Sequence, residues 1–433
     1  MSTNMFNPSD KRFYPARWKT CRGKQLFQVI DERSLDGNEE LLSVSHITGI
    51  TPRKQKNVTM FQSESLVGYK ICRIGDIAAN TMWTWQGAIG VSSYFGVISP
   101  AYNVYRQIEN VYNSRYLDLL LRERKLIDVY HSLSTGIRPS RLRLYPEVFL
   151  TIDFPVPPRE EQDQIVRFLD WKISEINRLI AIIKSSIRCL HQAKSKLINN
   201  CITSVTSRIK LKHIARCNCA TLGESTEPEY SFRYIDIGSV DYTKGITKYE
   251  TFTFKNAPSR ARRIVKKHDI IISTVRTYLK AITTIYDDAD VIVSTGFAVV
   301  QPDPNLVDSR FLEYCCKSDW FCDEVIRHSN GVAYPAITSD ALMNLQIPFC
   351  SYDEQKAIVS HLDVECSKLD CIISNKEKTI SKLQELKNRL ISDVVTGKID
   401  VRGIEIPEYE YTAEVADTDS EAEAEEFDEQ EEV

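Results

Sequence analysis

The feature that most limits how this chain folds is that it spells one passage twice. FPVPPREEQDQIVRFLDWKISEINRLI occupies Phe154 to Ile180, and IPFCSYDEQKAIVSHLDVECSKLDCII occupies Ile347 to Ile373. Gln162 and Gln355 stand 193 positions apart, as do Pro155 and Pro348, and the pairs Leu169-Asp170 and Leu362-Asp363. Upstream, Asp76 of RIGDIAANT and Asp269 of KKHDIIIST keep that offset. Between them it drifts to 195, at Ser114 of SRYLDLL against Ser309 of SRFLEYC and at Gly136 against Gly331. A drift that recovers is what loop insertions leave behind. The repeat unit is a globule of roughly 150 residues followed by a helical segment, so the chain holds two cores rather than one oversized core.

The helical segments are heptad patterns. From Leu169, apolar residues recur in steps of four and three through Ile173, Ile176, Ile180, Ile183 and Ile187 to Leu190, Lys194, Leu197 and Cys201. The second copy steps identically through Leu362, Cys366, Leu369, Ile373, Lys376, Ile380, Leu383, Lys387, Leu390 and Val394. A 3.5-residue period over more than four heptads predicts a left-handed helix pair. Lys194 and Lys387 break the seam at matching places, and a polar residue there fixes register and partner at some cost in stability. Glu160-Glu161 and Asp353-Glu354 suit the helix dipole at the first turns. Ser351 is a candidate N-cap and Gly397 a helix stop. Pro157-Pro158 precede the first helix only, so the second is expected to be joined less rigidly.

Ahead of each helix lie short β-rich runs, such as YKICRIGDIAA and VIVSTGFAVVQP, and one amphipathic stretch. Those stretches, NSRYLDLLLRERKLIDVY and DSRFLEYCCKSDWFCDEVIRH, are each read as a helix capped by Asn113 or Asp308. The expected fold class is α/β: two tandem globules, each followed by a long helix. The boundaries fall at 1–158 and 207–350 for the globules, 159–206 and 351–400 for the helices, and 401–433 for a tail. From Glu408 onward the tail has thirteen Asp and Glu and no Lys or Arg, and is expected to be disordered. Without those thirteen, Lys and Arg outnumber the acids by nine, so the body is basic, as suits a phosphate-binding protein.

Several chemistries find no support. The twelve cysteines include no C-x-x-C pair and are read as reduced structural thiols, with no metal site assigned. No Walker A loop, H-E-x-x-H pair or Gly-rich cofactor loop occurs, and no catalytic residue is assigned. SPAY at Ser99 departs from the tetrapeptide with which amino-methyltransferases grip a base; it and its counterpart STGF are expected within strands. No apolar run is long enough to cross a bilayer, and the polar start lacks a signal-peptide core, so a cytoplasmic location is expected.

The duplicated P…EQ..I…LD phrase, each copy opening a heptad helix after an α/β globule, resembles the DNA-specificity subunit of type I restriction–modification enzymes. The ending NRLISDVVTGKIDVRG and the stretch GDIAANTMWTWQGAIGVSSYFGVISPAYNVYR are similar to that family too. The resemblance covers residues 14 to about 403. It implies a target-recognition domain for each half of a split site on double-stranded DNA, and an antiparallel spacer with pseudo-twofold symmetry. It also implies recruitment of two methyltransferase subunits bringing S-adenosylmethionine, and of motor/nuclease subunits using ATP and Mg, with no cofactor in this chain. Half-sites one turn apart lie about 34–36 Å from each other on one face of B-DNA. Helices of about 60 Å could set such a spacing if antiparallel. On this view Gln162 and Gln355 belong with the heptad residues to the spacer and subunit interface.

Reading positions should differ between copies where the scaffold matches. In the first copy the candidates are Arg53 and Lys54, for phosphate; Trp83, Trp85 and Gln86; and Ser134, Arg138 and Arg141 around the Gly136 turn. Gln pairs bidentately with adenine, and Arg with guanine or phosphate. In the second copy they are Arg260 and Arg262 for phosphate, Arg276, Tyr278 and Lys280 after the strand HDIII, and Asn330 and Tyr334. Two rival readings stand beside this one. A coiled-coil scaffold binding DNA without sequence preference would show salt-sensitive binding alone. A fused methyltransferase or nuclease would need motifs absent from the sequence.

Overall fold

The architecture comes from a computed structural model, which describes residues 14–55, 65–137, 142–287, 290–331 and 335–413. Arg138, Arg141 and Tyr334 lie outside the described residues. The chain divides into two compact units, residues 1–183 with 378–433 and residues 184–377. Each unit therefore contains one globule, the first half of one long helix and the second half of the other.

Both globules are built on one plan. In the first unit a four-stranded antiparallel sheet runs in the order Phe27–Ile30, Asn103–Gln107, Ile77–Ala79, Ile89–Val91. In the second unit the order is Ala215–Cys217, Phe297–Pro302, Ile270–Ser273, Ile282–Thr284. The repeated Asp explains itself here. The Asp76 carboxylate accepts from Arg73 N and that of Asp269 from Lys266 N, each at 2.9 Å, closing the turn into the matching strand. Arg106 donates to Asp76 at 2.7 Å and Gln301 to Asp269 at 2.9 Å, so buried carboxylates are satisfied in both copies. The preceding residue is left-handed in both: Gly75 at φ 89°, and His268 at φ 73°, where a side chain is strained. Outside this shared sheet the copies diverge. The first has two small antiparallel pairs, Leu42–Ser45 with Gly49–Pro52 and Lys70–Cys72 with Gly96–Ile98. The second has a mixed sheet in which Ser231–Ile235 pairs parallel with Val291–Ser294.

Two local expectations need correction. Each amphipathic stretch forms two helices, because an internal cap interrupts it. Ser114–Leu121 is followed by Arg124–Leu133 with Glu123 as N-cap, and Ser309–Lys317 by Asp319–Arg327 with Ser318 as N-cap. Asn113 and Asp308 cap the first helix of each pair, each accepting two backbone N–H groups. SPAY forms the turn between Gly96–Ile98 and Asn103–Gln107 rather than a strand interior, whereas in STGF only Thr295 and Gly296 turn, Ser294 and Phe297 being the strand ends on either side. All twelve cysteines are free thiols, and burial pushes Cys72 and Cys322 up to about 12, far from thiolate reactivity.

The long helices are Arg159–Ser204 and Tyr352–Val395, of 46 and 44 residues, or about 69 and 66 Å at 1.5 Å per residue. Every expected seam position is buried or half-buried, including Leu169, Ile176, Ile180, Leu362, Ile373 and Lys387 among the buried ones. Near the end of the first helix burial moves one residue along, to Ile198 and Ile202. A straight helix drifts from a strict heptad, and here core residues of the globule join the partner helix in covering the face. Within each unit the helix segments run antiparallel. Ile165, Phe168 and Leu169 share a core with Leu390, Val394 and Val395 in the first, and Ile198 and Ile202 share one with Leu362 and Cys366 in the second. Lys194 pairs with Asp370 at 2.6 Å across the second pair.

The repeated phrase is a pair of clasps between each globule and the helix leaving it. Gln162, fully buried, accepts from Asn113 N at 2.8 Å and donates to the carbonyls of Val111 and Pro157 at 3.2 and 2.9 Å. Gln355, also fully buried, accepts from Asp308 N at 2.9 Å and donates to Leu306 and Cys350 at 3.3 and 2.9 Å. The Asp of each Leu-Asp pair meets an arginine from the globule: Asp170 with Arg115, and Asp363 with Arg310. The second junction is therefore fastened like the first. Ser351 and Glu354 add a reciprocal cap, with Glu354 accepting from Ser351 N at 3.0 Å, in place of the missing prolines.

The tail boundary also changes. Residues 401–413, expected to be disordered, follow a defined path in the first unit. Gln164 donates to the carbonyls of Val401 and Ile404, and Ser174 and Asn177 bind Glu410 and Thr412. Ile404 and Ile406 pack against the core, supplying the apolar anchors that the acid count concealed. The turn leading into this path depends on Gly397, at φ 71°, where an added Cβ would sit 2.6 Å from Pro15 and 2.7 Å from Trp18. Gly397→Val is expected to lower stability by about 2 kcal/mol or more from backbone strain plus this clash, measured by denaturant unfolding.

Candidate nucleic-acid interface

In each globule two loops from distant parts of the sequence are strapped side by side. The first follows the third strand of the shared sheet, counted along the order above: residues 80–87 after Ile77–Ala79, and 274–280 after Ile270–Ser273. The second is closed by a two-residue bridge, Thr135 to Arg143 in one unit and Asn330 to Ala336 in the other. One backbone hydrogen bond ties the loops together: Leu144 N to Thr81 O at 3.2 Å, and Ile337 N to Thr274 O at 2.9 Å. These are equivalent repeat positions, so the framework is common and its contents differ.

In the first unit, loop 80–87 is knotted around buried Asn80, whose carbonyl accepts from Thr84 N at 2.8 Å and whose side chain accepts from Met82 N at 3.1 Å. Gly87, at φ 99°, closes the turn. The knot presents half-buried Trp83 and Trp85, stacked with centroids 6.0 Å apart, and Trp85 lies 5.4 Å from His131. The Trp85 indole donates to Met82 O at 2.7 Å, which fixes its plane. Gln86 stands beside them, half-exposed. Ser134 spends its hydroxyl on Tyr130 O at 2.7 Å and serves the helix end. Arg53 and Lys54 follow the Leu42–Ser45 hairpin. Lys54 lies 3.9 Å from Glu40, and no hydrogen bond or ion pair among the described residues joins either to the two loops.

In the second unit, Arg276 is exposed, Tyr278 is 53% exposed and its neighbour Leu279 48% exposed. Arg276 and Lys280 both adopt left-handed conformations, which turns the short helix Thr277–Leu279 outward. Lys280 is drawn inward: it pairs with Asp319 at 3.2 Å and lies over the Tyr242 ring. Asp319 in turn accepts from Ser195 at 2.6 Å and Asn199 at 2.5 Å, so Lys280 links the loop to the first long helix. Sequence reasoning missed Asp319; the signal was an acid directly after the cap Ser318. Asn330 is exposed at the bridge closing the second loop. The Arg260 carbonyl accepts from Thr295 N beside the Thr274–Gly296 contact, which brings exposed Arg260 to the loop pair. Arg262 stacks on Phe254, 4.8 Å from its centroid.

Among the described residues no group of acids, His and Cys could hold a metal ion, and no helix is long and apolar enough to cross a membrane. The family described as the type I restriction modification DNA specificity domain matches residues 192–385. The type I restriction enzyme MjaVIII specificity subunit of Methanocaldococcus jannaschii is 22% identical over 418 residues, covering 89% of this chain and 92% of the relative. The putative type I restriction enzyme MjaX specificity subunit of the same organism is 23% identical over 320 residues, 69% of this chain and 71% of the relative. Among solved structures, a chain from work on complex assembly and conformational transition of the type I R-M system covers 89% of this chain and 99% of its own length. Its TM-score is 0.63 at 15% identity, a likeness of fold. The chain thus carries a stretch matching the type I restriction modification DNA specificity domain, is similar over most of its length to type I restriction enzyme specificity subunits, and shares the fold of a chain from a type I R-M system.

Proposed function

We propose that each globule reads one half of a bipartite, asymmetric site on double-stranded DNA through its strapped loop pair. The observation that carries this reading is the sameness of the straps and the difference of what they hold. Stacked indoles with Gln86 stand in one unit, and Arg276 with Tyr278 in the other, at equivalent positions of the repeat. Gln86 is suited to adenine, and Arg276 to guanine or phosphate. Arg53, Lys54, Arg260 and Arg262, with Arg138 and Arg141, add phosphate-directed charge. As a specificity subunit the chain is non-catalytic. Methylation and cleavage fall to two methyltransferase subunits bringing S-adenosylmethionine, and to ATP- and Mg-dependent motor/nuclease subunits, recruited through the long helices in the cytoplasm.

Co-expression with the cognate methyltransferase, followed by genome-wide mapping of methylated adenines, tests this directly. A split motif with a fixed gap is expected. A contiguous motif, or methylation without sequence preference, would overturn the reading and favour the scaffold alternative. Arg276→Ala is expected to weaken binding roughly 10- to 100-fold, about 1–3 kcal/mol, with selectivity relaxed in one half-site only. Equal loss at both halves in a competition binding assay would count against the assignment.

A further inference from the structure

The loop that carries Arg276 and Tyr278 is held in a conformation its residues do not favour. Arg276 and Lys280 both sit at φ 49°, in the left-handed region that penalises a side chain. Neither is the glycine or asparagine that usually stands there. Two such residues within one turn persist only where the surrounding contacts over-determine them, and strain of this kind is a pointer to function.

Two side-chain contacts supply the hold, one at each end of the helix Asp319–Arg327. Lys280 Nζ donates to Asp319 Oδ1 at 3.2 Å, at the first residue of that helix. Thr277, 4% exposed, shares a 2.9 Å hydrogen bond with Ser329, just past the helix end. The turn Thr277–Leu279 is thus clipped to the helix as to a rail. Arg276, Tyr278 and Leu279 stay exposed around the clips, whereas Lys280 is half-buried.

The rail is itself bolted to the first long helix. Asp319 N donates to Asn199 Oδ1 at 2.7 Å, and Asn199 Nδ2 returns a bond to Asp319 Oδ2 at 2.5 Å. Ser195 Oγ donates to the same oxygen at 2.6 Å. One carboxylate therefore takes the loop's ammonium on one oxygen and two groups of the long helix on the other. Tyr242, whose hydroxyl donates to Lys317 O at 3.0 Å, lays its ring 5.5 Å from that ammonium. The first unit repeats the bolt with other residues. Ser392, which matches Asn199 at the offset of 193, donates at 2.7 Å to Glu123, the cap of Arg124–Leu133. Glu123 matches Ser318 at the offset of 195. The bolt is common to both copies; the charged clip from Lys280 belongs to the second.

We propose that Asp319 is a positioning residue for DNA reading in the second unit. By fixing Lys280 and the long helix at once, it keeps Arg276 and Tyr278 ready in the strained turn and sets the selectivity of that half-site without touching DNA. This role rests on the reading function proposed above. A loop ordered in advance spares the complex the cost of ordering it on binding. Plain electrostatics has the opposite sign, since removing a carboxylate close to DNA strengthens binding to every sequence.

The test uses the full chain in complex with its methyltransferase, and duplexes carrying the split motif given by the methylation map, intact or with one half scrambled. Asp319→Asn keeps an oxygen for Ser195 and Asn199 but removes the charge that holds Lys280. Its affinity for the intact motif should fall roughly fivefold or more, about 1 kcal/mol. Affinity for the duplex scrambled in the half that Arg276→Ala relaxes should not change, so discrimination at that half shrinks. Discrimination at the other half should stay at the parental level, which shows that the variant is folded. Lys280→Gln should give the same loss with an unchanged salt slope, because the ammonium neutralises no phosphate. Added to Arg276→Ala, Asp319→Asn should cost less than about twofold more, since both act through one loop.

Stronger binding of Asp319→Asn to all duplexes, or equal loss at both halves, overturns the proposal. So does a salt slope shallower by about one in Lys280→Gln, which makes that lysine a phosphate contact. Full additivity with Arg276→Ala overturns it as well. If Arg276→Ala itself leaves discrimination intact, the reading function fails. If Arg276→Ala impairs discrimination and Asp319→Asn does not, the positioning role alone fails.

Discussion

Gln355→Leu is expected to lower the unfolding free energy of the chain by about 3 kcal/mol or more, read from urea or guanidinium denaturation. The side chain is fully buried and makes three hydrogen bonds, to Asp308 N, Leu306 O and Cys350 O. Leucine nearly matches its volume but leaves those three backbone groups with no partner, and each buried orphan costs roughly 1–3 kcal/mol. Gln162→Leu should cost a similar amount, since its three partners are the counterparts. Gln355→Glu is the sharper control. It keeps the shape and one acceptor but loses both donors, so recovery of parental stability in that variant would show that packing, not the clasp, carries the effect.

The second large effect is electrostatic and changes with pH. Glu313 is 4% exposed and accepts from Lys317 at 2.8 Å, Arg310 at 2.6 Å and the Tyr286 hydroxyl. Burial alone would raise its pKa, but Lys317, Tyr286 and Arg310 together hold it below the ordinary glutamate value. A carboxyl whose folded-state pKa is depressed stabilises the fold above its unfolded pKa of about 4.3, and loses that contribution as pH falls through the folded value. Glu313→Gln should therefore cost about 2 kcal/mol at pH 7, a figure reduced because Arg310 is partly exposed to solvent. Parent and variant should converge in stability as the pH is lowered below about 4. A constant difference from pH 7 to pH 3, measured by thermal or denaturant unfolding, would mean that the loss comes from packing.

The sequence makes the scaffold unusually legible because it states it twice. Gln162 with Gln355, and Asp170 with Asp363, recur because each performs the same geometric task, and a task of that kind leaves the same residue at the same offset. The heptads were readable for a similar reason: a long two-helix seam repeats one environment. Features set by three-dimensional company were not. The division of each amphipathic stretch at Glu123 and Ser318 is a cap choice that apolar periodicity passes over. The ordered path of residues 401–413 rests on Ile404, Ile406 and carbonyls bound by Gln164, Ser174 and Asn177, none of which an acid count detects. At the interface, composition singled out Lys280 as a reader, but Asp319 sits where it captures that ammonium. Arg276 and Tyr278, four and two residues earlier, remain exposed.

The bonds that hold the loop pairs have one further consequence. Leu144 to Thr81, Ile337 to Thr274, and the bridges Thr135–Arg143 and Asn330–Ala336 are all made by main-chain atoms. Main-chain bonds place almost no demand on which side chains the loops carry. The stretch between the bridges can change its residues, or its length by a residue or two, as the drift from 193 to 195 records, while the posts stay where they are. The frame thus keeps its grammar in the backbone and leaves its vocabulary to the side chains.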